Sequence, residues 1–209
     1  VRKQSDAFVQ LMTPITKAVL TDGGHETAQT ALQCFGGYGY IKEYGIEQYA
    51  RDARITMIYE GTNGIQAMDL VGRKLPYHTG EYLSAFFHPV QAFLDAHAHD
   101  ASMQEFIKPL AKHVEYLRKA TLWLGKEGIN NPDGVAAGAT EYLKMFGLVM
   151  FAYIWARQAK LANAAIAAGS ATDFHHQKLV TARFFMARIL PQTLSLLAQI
   201  TAGSDSIMD

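Results

Sequence analysis

Gln33-Cys34-Phe35-Gly36-Gly37-Tyr38-Gly39-Tyr40, then Tyr49-Ala50-Arg51-Asp52-Ala53-Arg54-Ile55, then Ile58-Tyr59-Glu60-Gly61-Thr62-Asn63 form the stretch that decides how this chain is read. The apolar pair Ala31-Leu32 runs into Gly36-Gly37, and glycine readily takes the left-handed backbone that closes a helix. A short helix follows, with Ile46, Tyr49, Ala50 and Ala53 on one face and Glu47 four residues ahead of Arg51, the favourable order for an ion pair. Glu60 then falls in a tight turn between Tyr59 and Gly61, just after the run Ile55 to Ile58. Asn63 reads as the N-cap of the next helix, and Gln66 three residues on closes a capping box.

Upstream, Thr13-Pro14 is a helix-start signal. Ile15, Ala18, Val19, Ala28, Ala31 and Leu32 mark apolar positions on either side of Asp22-Gly23-Gly24, a pair that can interrupt the helix. Downstream, Ile65, Met68, Gly72 and Leu75 repeat at steps of three and four, and Leu75-Pro76-Tyr77-His78-Thr79-Gly80 reads as a break and domain boundary. Four helical stretches follow. Leu83, Phe86, Val90, Phe93 and His97 line one face, with a kink at Pro89. Phe106, Leu110, Val114, Leu117, Thr121 and Leu124 line the next, which stops at Gly128. Asn131-Pro132 starts a third, on which Val135, Ala139, Tyr142, Phe146, Val149, Tyr153 and Ala156 keep the seam spacing of a bundle, with Leu143, Met150 and Ile154 as a second stripe. The last begins near Thr172-Asp173, carries Leu179, Ala182, Met186, Ile189, Thr193, Leu196 and Ile200, and bends at Pro191. No useful period-two alternation occurs, so strands are not expected. The fold class is all-α: residues 1–78 belong to one, incomplete helical bundle, and residues 79–209 form an antiparallel four-helix bundle.

Composition narrows the function. Hydrophobic residues make up 49% of the 209, enough for a packed core, and 19 Lys+Arg balance 19 Asp+Glu, which gives no electrostatic reason to propose nucleic acid or an anionic membrane as partner. The single cysteine, Cys34, excludes an internal disulfide and fits a reducing compartment, taken as the cytoplasm. The most apolar run, Met145 to Ala156, spans about 18 Å as a helix, whereas a bilayer core needs about 20 residues; it is a buried core helix and not a membrane span. The chain opens on Val1, with no charged-then-apolar leader pattern, and is read as part of a longer polypeptide.

The motifs Gln33-x-x-Gly36-Gly37-x-Gly39-Tyr40, Arg51-Asp52-Ala53-Arg54-Ile55 and Ile58-Tyr59-Glu60-Gly61-Thr62, in this order, resemble the C-terminal helical domain of the acyl-CoA dehydrogenases. The continuation Asn63 to Lys74 is similar to a branch with an extra C-terminal helical domain, which includes enzymes of the methylthiopropanoyl-CoA dehydrogenase type. The resemblance implies that the first helix runs on to Phe35. It implies α,β-dehydrogenation of an acyl-CoA thioester to the trans-2-enoyl-CoA, with FAD as cofactor and an electron-transfer flavoprotein as acceptor. Glu60 is then the base for the α-proton, a task for a carboxylate held in contact in a partly dry site; its backbone N–H steadies the thioester oxygen, and Gly61 lies at the substrate. Thr62 contacts the flavin. Gln33, Gly36 and Gly37 bind the ADP part of a neighbouring subunit's FAD, so the enzyme is a homo-oligomer, a dimer or tetramer. Gly64, where the family often carries glutamine or glutamate, is given no side-chain role. The 209 residues alone are expected neither to turn over acyl-CoA nor to retain FAD.

Each residue also has a plainer reading. Glu60 alone is a surface turn glutamate, Gly36-Gly37 a helix stop, Thr62-Asn63 ordinary capping, and Cys34 a small buried packing residue. Arg51, Asp52 and Arg54 are explained by helix-surface ion pairs more economically than as anion ligands. The eight histidines make no metal site, since neither His97/His99 nor His175/His176 shares a helical face and no zinc-like spacing exists. Tyr142, Phe146, Tyr153 and Trp155 are core or interface. The rival reading of the whole is a non-catalytic helical assembly module, supported by the seam from Val135 to Ala156.

Overall fold

The computed structural model describes residues 2–208, and no strand occurs among the described residues. Helix α1 (Arg2–Cys34) is one element of 33 residues, about 50 Å long. Thr13-Pro14 is not its start: Pro14 lies in the helix interior. The proline ring removes one backbone hydrogen bond there, and the Thr13 hydroxyl donates to Val9 O one turn back, at 2.7 Å. Gly23-Gly24 does not interrupt α1 either. Two interior glycines cost about 2 kcal/mol relative to alanine, and packing of α1 against α3 (Ile46–Thr56) and α4 (Asn63–Asp69) offsets that cost. The one-turn helix α2 (Gly37–Tyr40) links α1 to this pair.

Two apolar faces differ from the sequence pattern. On α3 only Ala50 is buried, and Tyr49 is exposed. Glu47 and Arg51 form no ion pair among the described residues, nor do Asp52 and Arg54; Asp52 accepts from Gln48 Nε2 at 2.7 Å instead. Such exposed pairs are worth too little to order two long side chains. After α4 the chain continues as a π-helical turn, Leu70–Lys74. Its wider spacing rotates the helix face. The residues buried are Ala67, Leu70, Val71, Lys74 and Leu75, while Ile65 and Met68 point outward.

The second half follows its pattern closely. Beyond a turn at Tyr77–Thr79 come α5 (Glu81–Ala96, containing Pro89), α6 (Gln104–Glu127), α7 (Pro132–Ala137), α8 (Ala139–Ala167), α9 (Asp173–Phe184), α10 (Thr193–Ile200) and α11 (Asp205–Met208). Phe86, Val90, Phe106, Leu110, Val114, Leu117, Leu124, Tyr142, Phe146, Val149, Leu179, Ala182, Met186, Leu196 and Ile200 are all buried. Asn131 caps α7 through Gly134 N at 3.0 Å, with Pro132 in the first turn. That helix is short, however. Gly138 separates it from α8 where the chain passes so close to Ile200 that a Cβ would lie 3.3 Å from its backbone. Pro191 bends the last helix as expected, through a π-turn (Phe185–Ile189) and a 3-10 turn (Leu190–Gln192). Helices α5, α6, α8 and the bent α9–α10 form the up-and-down bundle.

The core is continuous across the break at Leu75–Gly80, because α1 packs on both α5 and α8. A close approach occurs at Gly147, where an added Cβ would sit 2.4 Å from Val19 Cγ2. Gly147→Ala should therefore lower stability by about 1–3 kcal/mol, and Val19→Ala should recover much of that loss; equilibrium urea unfolding of the single and double variants checks it.

His113 on α6 is buried beneath α10, its Nδ1 2.5 Å from the Thr193 hydroxyl, which itself donates to Leu190 O at 3.0 Å. Burial, with Lys112 nearby, pushes the imidazole down to about 4. The unfolded chain takes up this proton first as pH falls, so His113 contributes stability that is present above pH 6.5 and lost towards pH 4. Between pH 7.5 and 5 this amounts to about 2 kcal/mol. Denaturant midpoints should fall over that interval in the parent protein and fall less in His113→Leu.

Candidate active site

The turn carrying Glu60 lies on the middle of α1. Asn63 N–H donates to Met57 O at 3.2 Å and closes the loop. Within it Glu60 has φ 54° and Gly61 φ 83°, two successive left-handed residues. For glutamate this conformation costs on the order of 1–3 kcal/mol and persists only where surrounding bonds enforce it. At Gly61 a side chain would also collide, since a Cβ would lie 2.8 Å from Gln66 Nε2.

The enforcing bonds are specific. Lys17 Nζ donates to Gly61 O at 2.8 Å and to Asn63 Oδ1 at 2.7 Å. Gln66 Nε2 donates to Glu60 O at 3.2 Å and, more weakly, to Gly61 O at 3.4 Å. Asn63 Nδ2 reaches Asp22 Oδ1 at 2.6 Å and Thr21 Oγ1 at 3.0 Å. The N-cap is Thr62, whose hydroxyl accepts from Ile65 N at 3.3 Å. Asn63 instead ties the turn to α1, and Gln66 braces the turn and closes no capping box.

A planar trans peptide points its carbonyl and its N–H in opposite directions. With Glu60 O and Gly61 O drawn towards Gln66 and Lys17, the N–H groups of Gly61 and Thr62 face the other way. Among the described residues the N–H groups of Glu60, Gly61 and Thr62 have no hydrogen-bond acceptor. The Glu60 side chain is exposed and has no ion-pair partner among those residues. Three free donors beside a carboxylate can hold an oxygen that gains negative charge while the carboxylate takes a proton.

The second predicted cluster lies elsewhere. α1 ends at Cys34, and Gly36 follows at φ 60°, ψ −145°, a combination essentially reserved for glycine. Gly37 is different. Its φ is not positive, and nothing lies within 4 Å of where a Cβ would stand, so this chain's own packing does not demand glycine there. Gln33 and Cys34 are exposed, which corrects the expectation of a buried cysteine: the helix end that carries Cys34 projects beyond the core. Beside this turn runs a groove of about 530 Å³ lined by Gln29, Leu32, Tyr40, Lys42, Glu47 and Arg51.

The structure thus groups Glu60, Gly61 and Thr62, and separately Gln33, Gly36 and Gly37. It does not bring the two groups together: Gln33 lies about 24 Å along the α1 axis from Lys17, which anchors the acid turn. The apolar recess of about 520 Å³ between Val71, Leu75, Leu124 and Val135 involves none of these residues. On the segments flanking the acid turn, Ile55, Ile58, Tyr59 and Ile65 are exposed by 47–60%. Among the described residues no three His, Cys, Asp or Glu side chains are grouped to hold a metal ion, and no helix is long and apolar enough to cross a membrane. Lys17 went unnoticed in the sequence, where a lone lysine on a helix carries no signal.

Comparison with known proteins gives the chain its place. Residues 2–75 match the family model described as acyl-CoA dehydrogenase, C-terminal domain, and residues 86–209 match that described as acetyl-CoA dehydrogenase C-terminal like. A broad-specificity linear acyl-CoA dehydrogenase of Mycobacterium tuberculosis is 31% identical over 95% of this chain and 34% of its own length. The 3-methylmercaptopropionyl-CoA dehydrogenase of Ruegeria pomeroyi is 29% identical over 99% of this chain and 35% of its own length. The chain spans about a third of the length of the curated relatives it matches. In fold it is similar to Caenorhabditis elegans ACDH-11, solved in complex with C11-CoA, with a TM-score of 0.64 at 19% identity over 88% of this chain and 29% of that one. With both halves matched by the family's C-terminal domains, the chain belongs to the acyl-CoA dehydrogenase family.

Proposed function

We propose that these residues serve as the C-terminal part of an acyl-CoA dehydrogenase subunit, with Glu60 as the base that removes the α-proton of an acyl-CoA thioester. The observation that carries this is the acid turn: a carboxylate on a left-handed residue, flanked by three N–H groups without acceptors among the described residues and with both nearby carbonyls turned away. The α C–H of a thioester is a weak acid, so its removal needs a base in contact and donors on the thioester oxygen. Glu60 supplies the first through its side chain and the second through its own N–H. Gly61, at φ 83°, lies at the substrate in this reading.

The residues present suit FAD. Thr62 lies one residue from the thioester position and would meet the flavin. Gln33, Gly36 and Gly37 would hold the ADP part, with Gly37 open to close approach and the cations Lys42 and Arg51 lining the adjoining groove. When bound, the flavin supplies a hydride acceptor for the β-carbon. The roughly 24 Å of α1 between Lys17, which anchors the acid turn, and Gln33 supports service to different flavins, one per subunit, and so a homo-oligomer, a dimer or tetramer. An electron-transfer flavoprotein is the acceptor and the cytoplasm the compartment in this reading. Its two units are residues 1–78 and 79–209.

Glu60 is exposed here, whereas a base for this reaction works in a partly dry site. The apolar side chains around it support cover from parts of a longer subunit beyond these 209 residues, on which much of the acyl-CoA pocket also depends. The rival reading, a helical assembly module, loses its main support, because the seam around Tyr142, Phe146, Val149 and Ala156 is buried within this chain.

In the complete enzyme, Glu60→Gln should lower kcat by about 10²–10⁴-fold, the usual contribution of a general base, with assembly and FAD content intact. Unchanged turnover would remove Glu60 from the mechanism. The 209-residue chain purified alone should be colourless and inactive, and a stoichiometric flavin spectrum in it would contradict the shared-site reading.

A further inference from the structure

We propose that Lys17 and Gln66 are positioning residues for the acid turn, fixing the peptide planes on either side of Gly61. The inference rests on Glu60 being the base. A glutamate at φ 54° followed by a glycine at φ 83° is held against its own preference, and glycine lets the adjoining peptides rotate at little cost. Among the described residues no backbone hydrogen bond within the turn holds the Glu60–Gly61 or the Gly61–Thr62 peptide. The opposing bonds come from outside it: the Lys17 ammonium on Gly61 O, from α1, and the Gln66 amide on Glu60 O, from α4.

If either plane turns over, a carbonyl that is now tied back swings to the face where the thioester oxygen gathers charge, and its repulsion opposes the stabilisation that Glu60 N–H gives. If Glu60 relaxes to a right-handed φ, its carboxylate swings away from the α-carbon. Lys17 suits its task because its charge strengthens the bond to Gly61 O and polarises the Gly61–Thr62 peptide, which makes Thr62 N–H a better donor. Its second bond, to Asn63 Oδ1, locks the ammonium between α1 and α4. Neither residue need touch substrate.

The test uses the complete, FAD-loaded enzyme, with an ordinary acyl-CoA for turnover and an acyl-CoA analogue blocked at the β-carbon for proton exchange. In D₂O, the α-proton passes to the Glu60 carboxylate, exchanges with solvent and returns as deuterium, with no net oxidation. Lys17→Met should keep FAD content, oligomeric state and KM within about threefold of the parent. Its kcat and α-exchange rate should both fall about 10–100-fold, the penalty for misplacing a reacting group by about 1 Å. Lys17→Arg, which keeps a cationic donor, should lose less than Lys17→Met. Parent-like exchange in Lys17→Met overturns the proposal, as does a loss that tracks FAD content in both Lys17 variants. Should Lys17→Met fail to fold, Gln66→Met decides: slow exchange with full FAD supports the proposal, and parent-like exchange overturns it. Glu60→Gln run in parallel separates the two ideas. Exchange retained in that variant sinks the base itself. Exchange lost there but intact in Lys17→Met and Gln66→Met sinks only the positioning role.

Discussion

The unbroken course of α1 is the constraint on which the rest of the structure depends. Its first half supplies Leu11, Met12, Ile15 and Ala18 to the core shared with α5 and α8. Its middle holds the acid turn through Lys17, Thr21 and Asp22. Its far end carries the glycine turn. Because the helix is rigid, the separation of the two clusters is set by helix geometry and not by loop flexibility. A break at Gly23-Gly24 would have left that separation undefined.

The acid turn follows a simple electrostatic logic. Two carbonyls are tied back by donors from neighbouring helices, and the N–H groups that remain point where an oxygen of a ligand can use them. Backbone donors of this kind need no reorganisation as charge develops, which is why fixed peptide dipoles stabilise an enolate-like oxygen better than water does. The cost is a strained glutamate, and the bonds that enforce its turn come from Lys17 on α1 and Gln66 on α4.

Much of the fold was legible from residue order. The faces of α5, α6 and α9 and the seam of α8 appeared as apolar repeats because each is buried on a regular α-helical period. The signal at Asn131-Pro132 was legible because capping is local chemistry. Elsewhere the pattern misled. Gly138 divided what read as one helix, and on α4 the small Ala67, with Leu70 and Val71 beyond it, took the buried side and left Ile65 and Met68 outward. Thr13-Pro14 looked like a start because the proline signal is the same at a first turn and inside a helix that tolerates it. In the candidate site, Glu60 and its glycine were visible as a turn. Lys17 was not, since its partner is 44 residues away, and Gln66 was assigned to a cap because the same side chain satisfies either geometry.

The most direct measurement is a crystal structure of the complete, FAD-loaded enzyme with a non-reactive acyl-CoA analogue bound. A Glu60 carboxylate oxygen about 3–3.5 Å from the α-carbon, with Glu60 N–H on the thioester oxygen and Gly61 O still held by Lys17, is the predicted result. A carboxylate facing bulk water, with the thioester seated against other residues, would contradict the account.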